Sequence, residues 1–138
     1  AVYLFNLLYG VTLYYFFRLR IQGDWAAVFS QLQHPWLFVV GAALVAPFVE
    51  ELFFRGFLFA GLRERIGWVK AGLISAALFA LLHLTPTAMP PIFLLGCIFS
   101  FLYEKSRSLW PAILVHAALN SIGVAAAYWL SRMNLPLP

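Results

Sequence analysis

The chain has 138 residues, of which 64% are hydrophobic, 18% aromatic and only 10% charged. Soluble domains carry roughly 25% charged residues. Here the charges lie in clusters between long apolar runs, which excludes an ordinary soluble domain and indicates a protein that crosses a membrane several times. The formal net charge of +4 comes from basic residues at the ends of those runs, where they anchor loops, so no nucleic-acid partner is predicted.

The amino-terminal part predicts one span followed by an interfacial segment. Residues 1–17 are almost entirely apolar and lie at the short end of the roughly 17–25 residues of a spanning helix. Residues 18–35 form a polar break in which Asp24 can cap a short amphipathic helix at the membrane surface. Because the chain starts at Ala1 without a Met, we expect a trimmed amino terminus.

Four further apolar runs predict four more spanning helices, at about residues 36–62, 71–84, 91–103 and 110–130. Trp110 and Pro111 open the last run, as tryptophan favours the headgroup level and proline the first helical turn. The single cysteine, Cys97, predicts no intrachain disulfide. Without a repeat or linker, the sequence predicts an all-α, multi-pass membrane bundle of about five helices, which forms a single domain over residues 1–138 with a motif core at 36–131.

The second predicted span carries ionisable residues at membrane depth, where each costs about 2.5–3.5 kcal/mol on insertion scales. Glu51 and Arg55 are four residues apart, which places them on one helical face and predicts an ion pair. Glu50 points about 100° away and is left in need of a partner. Pro47 removes a backbone hydrogen bond, and we expect it to kink the helix and free the carbonyl of Ala43.

Polar residues of three predicted helices lie at a similar depth. Glu50, His83 and Asn120 are each 13 residues from a basic residue of the charged turns at one membrane surface, or about 20 Å from it. His116 precedes Asn120 by four residues and shares its helical face. We therefore expect these four side chains to meet in one pocket. A lone buried histidine or asparagine more often serves helix packing, so it is the complete set that favours a functional site.

These residue types allow hydrolysis by an activated water molecule. A carboxylate and a neutral imidazole form a general base, to which we assign Glu50 and His83. Histidine and asparagine side chains can donate hydrogen bonds that stabilise an oxyanion, and we assign this role to His116 and Asn120. No serine, threonine or cysteine with an assigned base accompanies them, which favours direct attack by water over a covalent intermediate.

A zinc site is the alternative use of the same residues. Glu50, His83 and His116 have ligand types that zinc accepts, but the local spacing lacks HExxH and asparagine is a poor zinc ligand. We therefore predict that the protein uses no metal and no other cofactor.

Three short motifs in order resemble those of the CPBP family, the CAAX-processing intramembrane glutamic endopeptidases and their bacteriocin-processing relatives. EELFFRG is similar to the family's EExxxR motif, FALLH to FxxxH and HAALN to HxxxN. The resemblance covers about residues 47–120. Each motif alone has two or three fixed residues, whereas the ordered set within a hydrophobic chain is specific.

The resemblance implies an endopeptidase without an essential metal that cleaves a membrane-anchored protein or peptide near its carboxy terminus. In the prenylated-protein case the cut follows the modified cysteine. Membrane lipids would be its surroundings, and the cell membrane its location. The implied roles are the catalytic base for Glu50, assistance to that base for His83, the oxyanion hole for His116 and Asn120, and support by pairing for Glu51 and Arg55.

A non-catalytic reading of the same residues also stays open. A membrane scaffold or immunity protein would use the polar cluster for helix packing or for partner binding. Better-known members of the CPBP family have more spans than the five predicted here.

Overall fold

The protein's structure is a computed structural model that describes residues 2–17, 29 and 31–133. Within these ranges the chain forms five helices and no strand. The helices are Val2–Phe17 (α1), Pro35–Ile66 (α2), Trp68–Leu82 (α3), Met89–Ser106 (α4) and Trp110–Met133 (α5). The prediction of an all-α membrane bundle is therefore confirmed.

The helices follow the predicted apolar runs and share their breaks. α2 and α5 have the length and apolar composition to cross a membrane, over Pro35–Ile66 and Trp110–Trp129, and α3 is a shorter apolar helix. The total of five spans stays a prediction. The interfacial helix predicted after Asp24 lies outside the described residues.

The helices meet around an aromatic core in which α2 is central. α2 contacts α3, α4 and α5, while α3 packs most extensively against α4. Phe54 of α2, Phe79 of α3, Phe99 of α4 and Ala112 of α5 form the buried cluster at the centre. Each of these four helices thus contributes one side chain to the same core, which fixes their relative positions around the site described below.

The hydrogen-bond register of α2 changes along its length. Its π-helical segments are Gly41–Val45 and Leu52–Phe59, and the intervening Ala46–Glu51 is α-helical. π-helical turns are rare in proteins, and many of those that do occur lie at functional sites. The two glutamates of the EExxxR motif close the α-helical segment, and its arginine lies within the second π segment.

Pro47 is accommodated by the first π segment. The backbone N–H of Ala46 donates to the carbonyl of Gly41, five residues earlier. In that register the partner of Pro47 would be Ala42, but proline has no N–H to donate. The side-chain amide of Asn120 on α5 donates to the Ala42 carbonyl instead, at 2.9 Å. The carbonyl that receives a substitute donor is therefore one residue before the predicted Ala43.

A glycine makes the sharp turn between α2 and α3. Gly67 has φ 80° and ψ 156°, a region that essentially only glycine occupies. It caps α2 through its N–H, which donates to the carbonyl of Arg63 at 3.0 Å. This turn lies at the charged end of the bundle, away from the aromatic core.

Candidate active site

Glu51 and Arg55 form the predicted ion pair, and both side chains are fully buried. Nη1 of Arg55 donates to Oε1 of Glu51 at 3.1 Å, across one turn of α2. Nη2 of Arg55 donates to the backbone carbonyl of Gly96 on α4 at 2.9 Å. The guanidinium thus joins a side chain of its own helix to the backbone of a second helix, as a forked donor allows.

Three phenylalanine rings enclose the Arg55 guanidinium. Its central carbon lies 4.7 Å from the ring centroid of Phe79, 5.2 Å from that of Phe99 and 5.8 Å from that of Phe54. A desolvated cation within about 6 Å of an aromatic ring is attracted to it, by about 2 kcal/mol in favourable cases. The aromatic core of the bundle is therefore also the environment that holds its buried positive charge.

His116 lies between the two neighbouring glutamates. Its Nδ1 is 2.9 Å from Oε1 of Glu51, and because a carboxylate oxygen accepts, Nδ1 carries the proton and donates. Its Nε2 is 3.7 Å from Oε2 of Glu50, which is longer than a hydrogen bond. The imidazole also stacks on the ring of Phe99, with centroids 4.9 Å apart and planes 21° apart. These contacts fix both the orientation and the tautomer of His116.

His83 follows the last residue of α3 and is held by the phenylalanine of its own motif. Its Nδ1 donates to the carbonyl of Phe79 at 2.7 Å, so Nε2 is the acceptor nitrogen of the neutral ring. Phe79 packs edge-on against the imidazole of His83 at 4.8 Å and against that of His116 at 5.8 Å. The FxxxH spacing places the phenylalanine one turn before the histidine, where its carbonyl and ring orient the imidazole.

Asn120 connects α5 to α2. One N–H of its side-chain amide donates to the Ala42 carbonyl, the bond that compensates for Pro47. A second N–H and the amide oxygen complete its hydrogen-bonding groups. Asn120 lies one turn beyond His116 on α5, so the HxxxN motif contacts two points of α2 from one helical face.

Four of the predicted residues form one contiguous group, which we name the carboxylate–histidine cluster: Glu50, Glu51, Arg55 and His116. His83 is connected to this cluster by Phe79, whose ring also contacts that of His116, and Asn120 is connected to it by its hydrogen bond to the α2 backbone. The structure therefore places His116, the residue assigned to the oxyanion hole, against Glu50.

Glu50 and Glu51 differ in the exposure of their side chains. The side chain of Glu50 is 31% exposed, whereas that of Glu51 is fully buried. Within the described part of the chain, no hydrogen-bond partner reaches Oε2 of either glutamate or Nε of Arg55. Glu51 has its other oxygen committed to two donors, so Glu50 is the carboxylate that a molecule entering the cluster can reach.

Glu50, His83 and His116, the residues of the alternative zinc site, are not arranged as a metal site. Across residues 2–17, 29 and 31–133, no three His, Cys, Asp or Glu side chains are grouped so as to hold a metal ion. His83 and His116 each direct Nδ1 to a protein oxygen.

Sequence reasoning missed Gly96 and Phe99, which both contact the cluster. Phe99 is one of 14 phenylalanines, and no motif marks it. Gly96 interrupts an apolar helix, where glycine costs about 1 kcal/mol relative to alanine, and this was the available signal of a close approach. Ser75 and Ser100, set aside as nucleophiles, donate to the carbonyls of Phe54 and Gly96, both at 3.0 Å. The Ser75 bond joins α3 to α2, and the Ser100 bond lies within α4, so both hydroxyls are engaged with backbone carbonyls.

Comparison with known proteins identifies the family. Residues 32–122 match the family model described as type II CAAX prenyl endopeptidase Rce1-like. The chain belongs to the Rce1-like family. The matched range contains every predicted site residue, and the resemblance predicted from the three motifs is confirmed. Membership also assigns the Rce1-like chain to a family of membrane peptidases.

Two curated bacterial proteins are similar to the Rce1-like chain. "Putative membrane peptidase YdiL" of Bacillus subtilis (strain 168) is 30% identical over 112 residues, which are 80% of this chain and 46% of that protein. The UPF0177 protein YxdF of Lactococcus lactis subsp. lactis (strain IL1403) is 30% identical over 96 residues, which are 69% of this chain and 52% of that protein. The chain thus spans about half the length of the curated relatives it matches. No solved structure matches it significantly.

Proposed function

We propose that this Rce1-like chain forms the catalytic core of a multi-pass endopeptidase of the cell membrane. Its reaction is the hydrolysis of a peptide bond near the carboxy terminus of a membrane-associated protein or peptide. The geometry of Glu50 carries the proposal. Oε2 of Glu50 is itself buried, 3.7 Å from Nε2 of His116 and without a hydrogen bond to any described residue, while the side chain as a whole is 31% exposed. A partly exposed carboxylate that has one buried oxygen without a partner is suited to bind and deprotonate a water molecule that enters the cluster.

In the proposed reaction Glu50 takes one proton from a water molecule while the water oxygen bonds to the carbonyl carbon of the substrate. His83 assists by accepting a hydrogen bond from the second hydrogen of the water at Nε2, the acceptor nitrogen of the tautomer that Phe79 selects, and that hydrogen stays on the water oxygen. The resulting tetrahedral intermediate collapses as its C–N bond breaks. The leaving amine then receives the proton that Glu50 had taken, which returns Glu50 to its starting state.

His116 and Asn120 would stabilise the oxyanion of that intermediate. Because Nδ1 of His116 already donates to Glu51, donation from Nε2 requires the ring to carry both protons as an imidazolium. Glu51 is then its buried counter-ion. Asn120 has one amide N–H left after its bond to Ala42. The role proposed for each side chain is thus compatible with the hydrogen bonds that it already makes.

Matched amide substitutions at two glutamates test the proposal. The protein is reconstituted in liposomes with membrane-anchored peptides of varied carboxy-terminal sequence, with and without a prenyl group. Glu50→Gln removes the base, and we expect cleavage to fall by about 10²–10⁴-fold, the usual contribution of a general base. Glu64→Gln changes an exposed glutamate at the charged end of α2, and we expect wild-type cleavage. Full activity of Glu50→Gln would contradict the proposal.

A scaffold or immunity function is the second candidate, and the Asn120 bond favours it. The hydrogen bond of Asn120 to the Ala42 carbonyl joins two helices, which is the role of an asparagine that serves helix packing alone. In the same liposomes, a partner that binds wild type and Glu50→Gln equally and is cleaved by neither would support this candidate.

A further inference from the structure

Gly96 lies at a close approach of α4 to α3. A Cβ atom added to Gly96 would lie 2.8 Å from Cβ and 2.9 Å from Cα of Ala76. Carbon atoms that are not bonded to each other pack at about 3.5–4.0 Å. The same added atom would lie 3.3 Å from Nη2 of Arg55. A side chain at this position would therefore push α4 away from α3 and crowd the guanidinium.

The close approach brings the backbone of α4 within reach of the buried arginine. The carbonyl of Gly96 accepts hydrogen bonds from Nη2 of Arg55 at 2.9 Å and from the hydroxyl of Ser100 at 3.0 Å. A helix backbone moves only as the whole helix moves, so this carbonyl is a firmer anchor for Arg55 than a flexible side chain would be.

A continuous path of hydrogen bonds runs from that carbonyl to the imidazole of His116. Arg55 donates to Gly96 through Nη2 and to Oε1 of Glu51 through Nη1, at 3.1 Å. The same Oε1 accepts the hydrogen bond of His116 Nδ1 at 2.9 Å. We name this path the Gly96–His116 relay. Its members are all buried, and hydrogen bonds in a low-dielectric interior support one another.

We propose that Gly96 is a positioning residue of the site: by allowing α4 to pack against Ala76 it anchors Arg55, which through Glu51 holds the Nδ1 proton and the ring orientation of His116. The contacts from Gly96 to His116 are observed independently of the proposed function. The expected effect of Gly96 on catalysis rests on the proposed function. Gly96 touches no substrate and acts through other residues. It lies outside the three motifs, 41 residues from Arg55 along the chain.

Exchanging one methyl group between α3 and α4 tests the relay. Gly96→Ala introduces the colliding Cβ, and we expect the turnover number to fall by about 10²-fold, as a misplacement near 1 Å costs, with KM nearly unchanged. The double variant Gly96→Ala/Ala76→Gly removes the contact with Cβ of residue 76, but the added atom still lies 2.9 Å from its Cα and 3.3 Å from Nη2 of Arg55, so we expect turnover to recover only in part. Gly61→Ala is the matched control, since a Cβ there meets no atom within 4 Å.

Histidine ring ¹⁵N NMR provides a readout that does not depend on catalysis. We expect a wild-type signal of a His116 ring protonated at Nδ1, assigned by its loss in His116→Gln. Gly96→Ala should shift that signal, the double variant should return it in part, and Gly61→Ala should leave it unchanged. If wild type cleaves none of the peptides, the proposed function fails while this measurement still decides the role of Gly96.

Arg55→Lys provides an independent perturbation, which also covers the case in which Gly96→Ala does not fold. Lysine keeps the positive charge beside Glu51 but lacks the fork that reaches Glu51 and Gly96 together. The relay predicts a shifted His116 signal in this variant too. An unchanged His116 signal in Arg55→Lys or in folded Gly96→Ala would overturn the inference.

Discussion

Two ion pairs of the same length lie in opposite surroundings. Arg55 contacts Glu51 at 3.1 Å in the aromatic core, and both side chains are fully buried. Arg63 contacts Glu104 at 3.1 Å at the charged end of the bundle, where 21% and 15% of the two side chains are exposed. Distance therefore does not distinguish the pairs. Burial does, because a charge deprived of its partner can be solvated at the charged end but not in the core.

Burial also distinguishes the two neighbouring glutamates of the core, of which one supports the site and the other is proposed to carry out the chemistry. Glu51 accepts both of its donors through one oxygen and holds Arg55 and His116 in place. Glu50, the next residue, reaches the edge of the cluster and has an oxygen without a described partner. Neighbouring carboxylates on one helix thus face different surroundings because successive residues point about 100° apart.

The largest effect is expected from removing the buried cation. Arg55→Met keeps much of the side-chain volume but leaves the buried Glu51 with His116 as its one remaining partner among the described residues, and breaking a buried pair costs about 3–5 kcal/mol. We expect this loss in the free energy of unfolding, measured by titrating the detergent-solubilised protein with sodium dodecyl sulfate. A loss below about 1 kcal/mol would mean that water reaches Glu51.

The same substitution at the charged end should have a much smaller effect. Arg63→Met removes a partner of Glu104, which also accepts from Arg107 at 2.6 Å. A partly exposed pair is worth about 0–1 kcal/mol, so we expect a change within that range in the same titration. Equal losses for Arg55→Met and Arg63→Met would remove the distinction between the two regions.

The smallest effect is expected from metal removal. The proposed base is Glu50 with assistance from His83, and every proton transfer uses side chains of the chain itself. Prolonged incubation with a chelator, verified by metal analysis, should leave the cleavage rate within twofold of the untreated protein. Loss of cleavage that returns with added zinc would assign the chemistry to a metal.

Much of this arrangement could be predicted from the sequence because it depends on spacing within one helix. The four-residue interval between Glu51 and Arg55 places them on one helical face, and their ion pair is observed. The breaks between apolar runs located the helices because charges, glycine and proline interrupt them. The equal depth of Glu50, His83 and Asn120, which was counted from the rise per residue, stays a prediction.

The rotation of one helix relative to another could not be predicted from the spacing of residues along the chain. The sequence assigned His83 to Glu50, whereas the nearest observed imidazole is that of His116 at 3.7 Å. The π segments of α2 change its register, which moved the substituted carbonyl from Ala43 to Ala42. Gly96 carries no chemistry of its own, and its role depends on a contact between helices that only the folded chain makes.

The most direct test of the account compares the two neighbouring glutamates in one experiment. Glu50→Gln and Glu51→Gln are measured side by side for peptide cleavage in liposomes and for the free energy of unfolding. We expect Glu50→Gln to abolish cleavage with stability within about 1 kcal/mol of wild type, as for a partly exposed site. Glu51→Gln should lose about 3–5 kcal/mol because Arg55 is left unpaired. Cleavage by Glu50→Gln at the wild-type rate would contradict the central claim that Glu50 activates the water.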